Sequence, residues 1–285
     1  MTLNQALRST GQTLHRAGIP DASIEAELLL GHVLGMSRTQ LYTEPDRSLT
    51  SVESDRLLGL VGRRLDREPT AYILGKCGFY GIDLYVNCHT LIPRPETELL
   101  VEKALELARR RSRAQGQIAV ADIGTGCGAV AVSLALALPQ ARVFATDVSA
   151  PALRVAEANC RRHAVSGRIE LLQGSLLEPL PEPVDMVVAN LPYVRNGEFE
   201  GLSPEIRAFE PEIALAGGED GLDKIRHILE QMPGRLNRGA GFLLEIGQGQ
   251  ADTVTALINT HFPRADIEVF PDPGGIDRVV RAITG

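Results

Sequence analysis

No stretch of this 285-residue chain is long and apolar enough to span a bilayer as a helix. The longest apolar run, AVAVSLALAL at 129–138, stops at Pro139, about half of the roughly 20 residues a spanning helix needs. The first residues, MTLNQALRSTGQTL, have neither the basic start nor the apolar middle of a secretory signal. Cys77, Cys88, Cys127 and Cys160 are scattered without paired short spacing, so no metal-binding pattern is present. They read as free thiols of a reducing cytoplasm, with a Cys77–Cys88 bridge across a hairpin as the alternative. Positive charge is not in excess either. With 29 Lys and Arg against 36 Asp and Glu, the net charge is −7, which argues against non-specific grip on nucleic acid or an anionic membrane. Internal repeats and low-complexity tracts are missing too. What remains, 44% hydrophobic and 23% charged residues, is the composition of a soluble globular protein with chain enough for two domains.

Three sections follow one another along the chain. Residues 1–72 carry helical periodicity. LNQALRSTGQTLHRAGI, ASIEAELLLGHVLG and TSVESDRLLGLVGRRLDR repeat apolar residues every three or four positions, the pattern of a small helical bundle. Asp21 and Ser23 are expected caps of the second helix, and Thr50 with Glu53 has capping-box spacing for the third. Residues 73–95 change character. FYGIDLYVN alternates and is rich in aromatic and β-branched residues, predicting a strand in a short hairpin, and IPRPETE leads to a helix start near Glu96. From 96 to 285, strands are predicted at 117–123, 142–147, 168–173, 184–189, 241–246, 266–270 and 277–283, most of them separated by helices. That alternation specifies an α/β domain with a seven-stranded, mostly parallel sheet. Only PDPGGI separates the last two strands, too short for a crossover, so they should pair antiparallel.

Two stretches carry chemistry. VADIGTGCGAVAVSLA (120–135) reads strand, glycine loop, helix: its glycines allow close approach of a ligand, and the helix start offers free N–H groups. The spacing Asp122-x-Gly124-x-Gly126-x-Gly128 is not the dinucleotide fingerprint G-x-G-x-x-G. Asp147, about 20 residues on at the next strand's end, is placed to accept hydrogen bonds from ribose hydroxyls. The combination resembles S-adenosylmethionine-dependent methyltransferases of the Rossmann-like class I fold. Asp122 has a second reading, as acceptor for the loop's own amides, and Cys127 reads as a small filler.

The second stretch is VVANLPYV at 187–194. Its strand should lie beside the first one, so its carboxyl end meets the cofactor. Asn190 offers a side-chain carbonyl, Leu191 a backbone carbonyl, Pro192 a fixed turn and Tyr193 a flat face. Two acceptors and a ring suit a planar –NH₂ group. Its delocalised lone pair needs orientation and electron density rather than a strong base. The plain structural alternative is a proline turn closing a buried strand.

The NLPY stretch resembles the (Asn/Asp/Ser)-Pro-Pro-aromatic signature of amino-methyltransferases. Over most of its length the chain is similar to the peptide chain release factor glutamine methyltransferases. The likeness is carried by REPTAYILGKCGFYG (67–81), LIPRPETELLVEKAL (91–105), DIGTGCG (122–128), FEPEIALAGGEDGLDKIRHIL (209–229) and GGIDRVV (274–280). The resemblance implies methylation of the side-chain amide of the glutamine in the Gly-Gly-Gln motif of class I release factors, in the cytoplasm. S-adenosylmethionine would be the donor and S-adenosylhomocysteine the product. It implies that Asp122, Gly124, Thr125, Gly126, Cys127, Gly128, Asp147, Val148, Ser175 and Asn190 hold the cofactor. Asn190, Leu191, Pro192 and Tyr193 would hold the glutamine, and the N-terminal helices would recognise the release factor. Two residues depart from the family: Leu191 stands for proline, and Ser175 stands where an acidic or aromatic residue flanks the adenine. Asn-Leu-Pro-Tyr is also the form in ribosomal RNA adenine dimethyltransferases. An N6-adenine methyltransferase for RNA or DNA, and a non-catalytic binder of S-adenosylmethionine, are therefore the alternatives; a nicotinamide oxidoreductase is disfavoured by the loop spacing. Arg94 and Glu96 read equally as a salt bridge or cap and as substrate contacts. ARRRSRAQG (108–116) and RRH (161–163) read as solvated basic helix ends, and Glu245 as a loop stabiliser.

Overall fold

The computed structural model describes residues 1–115 and 117–285, with residues 112–115 described by their backbone. The chain opens with helices α1 (Leu3–Arg16), α2 (Ala22–Leu34), α3 (Arg38–Thr43), α4 (Ser51–Leu65) and α5 (Thr70–Leu74). Strands β1 (Cys77–Phe79) and β2 (Ile82–Leu84) form a separate antiparallel hairpin. The main alternation follows: α6 (Thr97–Gln115), β3 (Ala119–Ile123), α7 (Ala129–Ala137), β4 (Arg142–Asp147), α8 (Ala150–Arg162), β5 (Ile169–Gln173) and β6 (Val184–Asn190). After two short 3-10 turns flanking α9 (Pro204–Phe209), the chain ends with α10 (Asp223–Gln231), β7 (Leu236–Glu245), α11 (Ala251–His261), β8 (Asp266–Pro271) and β9 (Asp277–Ile283).

Two compact units result. The first comprises Met1–Gly75 with Ser203–Phe209, the second Lys76–Leu202 with Glu210–Gly285. In the first, Leu3, Ala6, Thr10 and Leu14 form the buried stripe of α1, and α2 buries Ala26, Leu29, Leu30 and Val33 against the same core. Thr50 and Glu53 make the expected capping box at α4. Asp21 differs from expectation. It sits in the left-handed region at φ 51°, not the extended conformation from which an N-cap side chain reaches the helix amides, and makes no side-chain cap bond. The unit also holds a buried cation: Arg64 Nε lies 2.6 Å from Glu25 and Nη1 3.2 Å from Glu205, which fastens α9 to α2 and α4.

The second unit is built on a seven-stranded sheet of order β5-β4-β3-β6-β7-β9-β8. β3, β4, β5, β6 and β7 pair in parallel. β9 inserts between β7 and β8 and runs antiparallel to both. The central strands AVADI and VDMVVAN are nearly continuous apolar runs because both faces are covered, whereas the edge strand DIEVFP exposes Asp266 and Glu268. The predicted single run FYGIDLYVN breaks into a hairpin at Tyr80 and Gly81, both at positive φ, 47° and 77°, the requirement of a tight two-residue turn. Winding runs outward from β3 to β5 and then returns to β6, beside β3. The carboxyl ends of β3 and β6 therefore part at the reversal point, where open α/β sheets form a crevice. Arg109 and Arg110, in the basic stretch 108–116, are exposed; Gly116 lies outside the described residues, as do the side chains of 112–115. Among the described residues, no helix is long and apolar enough to cross a membrane.

Candidate active site

The crevice holds a cavity of about 290 Å³. Its floor comes from the loop after β3 and the end of β6; Asp147, Val148 and Ser149 follow β4, and Gly174, Ser175 and Leu176 follow β5. His89, Thr90 and Leu91 form one side, and Pro211, Ile213, Ala214 and Lys224 another. A more open groove of about 1120 Å³ lies in the helical unit between α1 and α2, but no strand end or glycine loop meets there.

The glycine loop is pinned to the end of β4. Gly124 N and Thr125 N both donate to the Thr146 carbonyl at 2.9 Å, and Gly126 N donates to Asp147 Oδ2 at 2.9 Å. Gly124 has φ 72°, and a Cβ there would lie 3.3 Å from the Leu191 side chain and 3.6 Å from the Asn190 carbonyl. That is a position for glycine alone, since a side chain would close the gap between the loop and the β6 end. Asp147 accepts from Gly126 N and Ser149 N, and burial, opposed by these bonds, raises its carboxyl above the usual range. A backbone cradle, an acidic wall and the apolar sides of Val148, Leu176 and Ile213 fit a nucleoside-bearing cofactor.

Of the expected cofactor residues, Gly124, Gly126, Asp147, Val148, Ser175 and Asn190 line the cavity, together with Leu191 and Pro192. Asp122, Thr125, Cys127 and Gly128 are not on its wall. Asp122 is buried behind the loop, where Oδ2 accepts from the Thr125 hydroxyl at 2.7 Å and Ala131 N at 3.0 Å. Its partners are the Thr125 hydroxyl of the loop and an amide in the first turn of α7, not the loop's own amides that its second reading named, so it ties the loop to the helix that follows. Cys127 is buried, its thiol is pushed up to about 12 by desolvation, and its carbonyl accepts from Asn159 Nδ2 at 2.8 Å. All four cysteines are free thiols.

Burial also lifts the Asp122 carboxyl from 3.8 to about 6. The folded group then keeps its proton to higher pH than the unfolded one. Its contribution to stability is present below the unfolded value and is lost as pH rises through about 6. Asp122→Asn removes this titration and keeps one acceptor oxygen for Thr125 and Ala131. Between pH 4.5 and 7, stability relative to wild type should shift in the variant's favour by about 2 kcal/mol, read from urea unfolding at each pH. A pH-independent difference would mean that Asp122 is ionised in the fold.

Asn190 ends β6 with its Nδ2 donating to Thr97 Oγ1 at 3.0 Å. The amide nitrogen is thereby engaged on the side away from solvent, and Oδ1 remains as the acceptor of a residue that lines the cavity. Leu191 turns its side chain into the core beneath the loop, next to Gly124, so the leucine that replaces proline is a packing residue. Tyr193 is not on the cavity wall. Its ring packs against Gly247, where a Cβ would come within 3.1 Å, and burial pushes the phenol up to about 12.

Several contributors lie far away in sequence. Glu245, at the end of β7, pairs in register with Asn190 and is 2% exposed. Its carboxyl is pushed up to about 7, first by burial; hydrogen bonding from Thr97 and Asn190 and the charge of Arg278 oppose that rise. Gln250 is buried, accepts from Gly247 N at 2.8 Å and donates to the Gly221 carbonyl at 3.3 Å. The segment after β6 is clamped by the LAGG stretch: Val194 N donates to the Leu215 carbonyl at 2.9 Å, and Gly217 N to the Val194 carbonyl at 2.8 Å. Arg94 pairs with buried Glu210 at 2.5 Å, and Ile92 N donates to the same carboxylate at 3.3 Å, joining two walls of the cavity. The motifs around residues 91–97 and 209–222 are thus the frame of the NLPY segment. The two prolines of the first and the three glycines of the second were the available signal.

A model of a methyltransferase small domain matches residues 96–203. A methyltransferase from Pyrococcus furiosus superposes with a TM-score of 0.52 at 17% identity, over 79% of this chain and 97% of its own, which shows the fold. The second unit is a Rossmann-like methyltransferase domain. A model of the PrmC N-terminal domain matches residues 5–75. The release factor glutamine methyltransferase of Geobacter sulfurreducens is 42% identical over 281 residues, covering 98% of this chain and 95% of its own. That of Koribacter versatilis is 40% identical over 283 residues, covering 98% of each. The chain belongs to the release factor glutamine methyltransferase family.

Proposed function

We propose that this protein methylates the side-chain amide nitrogen of the glutamine in the Gly-Gly-Gln motif of class I release factors, in the cytoplasm. The methyl donor is S-adenosylmethionine and the product S-adenosylhomocysteine. One observation carries the reading: the Asn190 amide is tied at Nδ2 and borders the glycine-loop cavity at the reversal point of the sheet. Names carried by the relatives support the substrate. When bound, the cofactor supplies an electrophilic methyl group on a sulfonium centre.

Gly124, Gly126, Asp147, Val148 and Ser175 hold the cofactor, with Asp147 directed to the ribose. Asp122, Thr125, Cys127 and Gly128 keep the loop in shape. Asn190 Oδ1 and the Leu191 carbonyl accept the two N–H bonds of the substrate carboxamide. That contact draws electron density onto the nitrogen and aims its lone pair, so positioning and electrostatics supply the rate. Pro192 sets the direction of the Leu191 carbonyl. Tyr193, off the cavity wall and packed against Gly247, supports the 190–193 turn from behind instead of stacking on the planar group, and burial, which pushes its phenol up to about 12, keeps it neutral at working pH. The helical domain, residues 1–72, recognises the release factor, residues 73–95 link it, and 96–285 carry out the transfer.

The experiment is transfer of labelled methyl from S-adenosylmethionine to a purified class I release factor. Label is expected on the factor and not on a variant whose motif glutamine is replaced by alanine. Label on ribosomal RNA instead, or equal label on the glutamine variant, would sink the assignment.

A further inference from the structure

We propose that Asn159, which lies off the cavity wall, is a positioning residue for the cofactor: its buried amide ties the Cys127 carbonyl of the glycine loop to the Tyr85 backbone, and so fixes the floor of the cavity relative to the side formed by His89, Thr90 and Leu91. The role rests on the reading of that cavity as the S-adenosylmethionine site.

Asn159 sits on the buried face of α8 beside Val155, Ala156 and Cys160. Asparagine is a poor helix former, and a buried polar group costs stability unless it is hydrogen-bonded. Here its two hydrogens and its oxygen are all engaged. Nδ2 donates to the Tyr85 carbonyl at 2.9 Å and to the Cys127 carbonyl at 2.8 Å, while Oδ1 accepts from Tyr85 N at 2.7 Å. That set also fixes which way the amide faces, because the flipped amide would set its oxygen against two carbonyls. An ionised aspartate in its place could only accept.

Each end of this link leads to a part of the cavity. The end of β4 holds Gly124, Thr125 and Gly126, and Asn159 holds the residue after them. Cys127 needs such a hold, because Gly126 and Gly128 on either side of it, at φ 55° and 83°, leave the chain free to turn. At the other end, Tyr85 is two residues from Asn87. Asn87 Nδ2 donates to the Tyr85 hydroxyl at 3.0 Å, Asn87 Oδ1 accepts from His89 N at 3.0 Å, and the Asn87 carbonyl accepts from Thr90 N at 3.1 Å. Tyr85 and Asn87 are not on the cavity wall, whereas His89 and Thr90 are. A ligand that steadies the glycine loop therefore steadies Tyr85 through Asn159, and a loosened Tyr85 weakens the ligand in return. His163, one turn further along α8, holds the same hairpin by a different bond: its Nε2 lies 2.9 Å from the Asp83 carbonyl.

The test compares wild type, Asn159→Ala and His163→Ala. S-adenosylhomocysteine affinity is measured by calorimetry, hydrogen exchange is followed in peptides covering 84–88 and 124–131 with and without that ligand, and KM for the release factor is taken at saturating cofactor. N159A is expected to bind S-adenosylhomocysteine about tenfold or more weakly. Its KM for the release factor should stay within about threefold of wild type, since the NLPY segment is outside the link. H163A should bind S-adenosylhomocysteine within about twofold of wild type, because it cuts the hairpin's other attachment and leaves the loop alone. In wild type the ligand should slow exchange in both peptides, and in N159A only in 124–131. A general loss of stability would not separate the two. Affinity within about twofold of wild type in N159A, or an equal loss in H163A, would overturn the proposal. So would wild-type protection confined to 124–131, a result that needs no variant and decides the matter even if N159A fails to fold. If wild type binds no S-adenosylhomocysteine, the cofactor reading falls with it. If wild type and N159A bind it equally, only the role of Asn159 falls.

Discussion

Asn190→Ala is expected to lower methyl transfer by about two to three orders of magnitude, the usual effect of deleting one preorganised group that answers charge in a transition state. The carboxamide nitrogen of the substrate has a delocalised lone pair, and its attack builds positive charge on N–H. Asn190 Oδ1 meets that charge, and alanine offers nothing in its place. Affinity for S-adenosylhomocysteine should remain within a few fold, because Gly124, Gly126 and Asp147 still shape the cavity. Stability should fall by about 1–3 kcal/mol, since Thr97 Oγ1 loses its 3.0 Å partner in a buried place. The measurement is single-turnover transfer of labelled methyl at saturating cofactor, with calorimetry for the product. Turnover within tenfold of wild type would show that Asn190 does not hold the substrate.

Gly221→Ala should be nearly as damaging, although this residue touches no ligand. Its φ is 78°, a conformation that costs an L-residue roughly 1–2 kcal/mol. The new Cβ would lie 2.3 Å from the Tyr193 carbonyl oxygen and 2.7 Å from Gln250 Nε2. Both neighbours are held, Gln250 by Gly247 and the 193–196 segment by the LAGG clamp. Relief therefore requires the NLPY segment to move by about an ångström, and misplacement of that size costs on the order of a hundredfold in rate. Strain and overpacking together should lower stability by about 2–5 kcal/mol. Gly234 is the control: it has φ 81° with nothing within 4 Å of an added Cβ. Gly234→Ala should carry the backbone cost and leave turnover intact. Equal turnover in the two variants would mean that the clamp does not set the geometry of residues 190–193.

Both expectations involve pairs that are distant in the chain, and this divides what could be read early from what could not. The strand predicted at 142–147 is β4, residue for residue, because the buried stretch VFAT lies between Pro139 and a Ser-capped helix. Thr50 and Glu53 make their capping box because a cap needs only residues three apart. Placement of β6 beside β3 followed from the alternation of strands and helices, since winding rules leave few choices. Asp21 failed as a cap because its own backbone angle, unreadable from composition, turned it away. The short helices α3 and α5 escaped because five or six residues carry no resolvable period. Asp122 lies beside the loop in sequence, yet it points behind it. Only the path of β3 decides which side a residue at a strand end takes.

From local pattern alone, this chain set its helical start, its seven strands, its glycine loop and the Asn-Leu-Pro-Tyr turn, since each depends on the chemistry of a few neighbours. Tertiary structure decided which oxygens and nitrogens those residues present. Thr97, Glu210, Gly221, Glu245 and Gln250 reach the turn from other elements, and a hydrogen bond's direction depends on the partner that arrives, which no local sequence window contains.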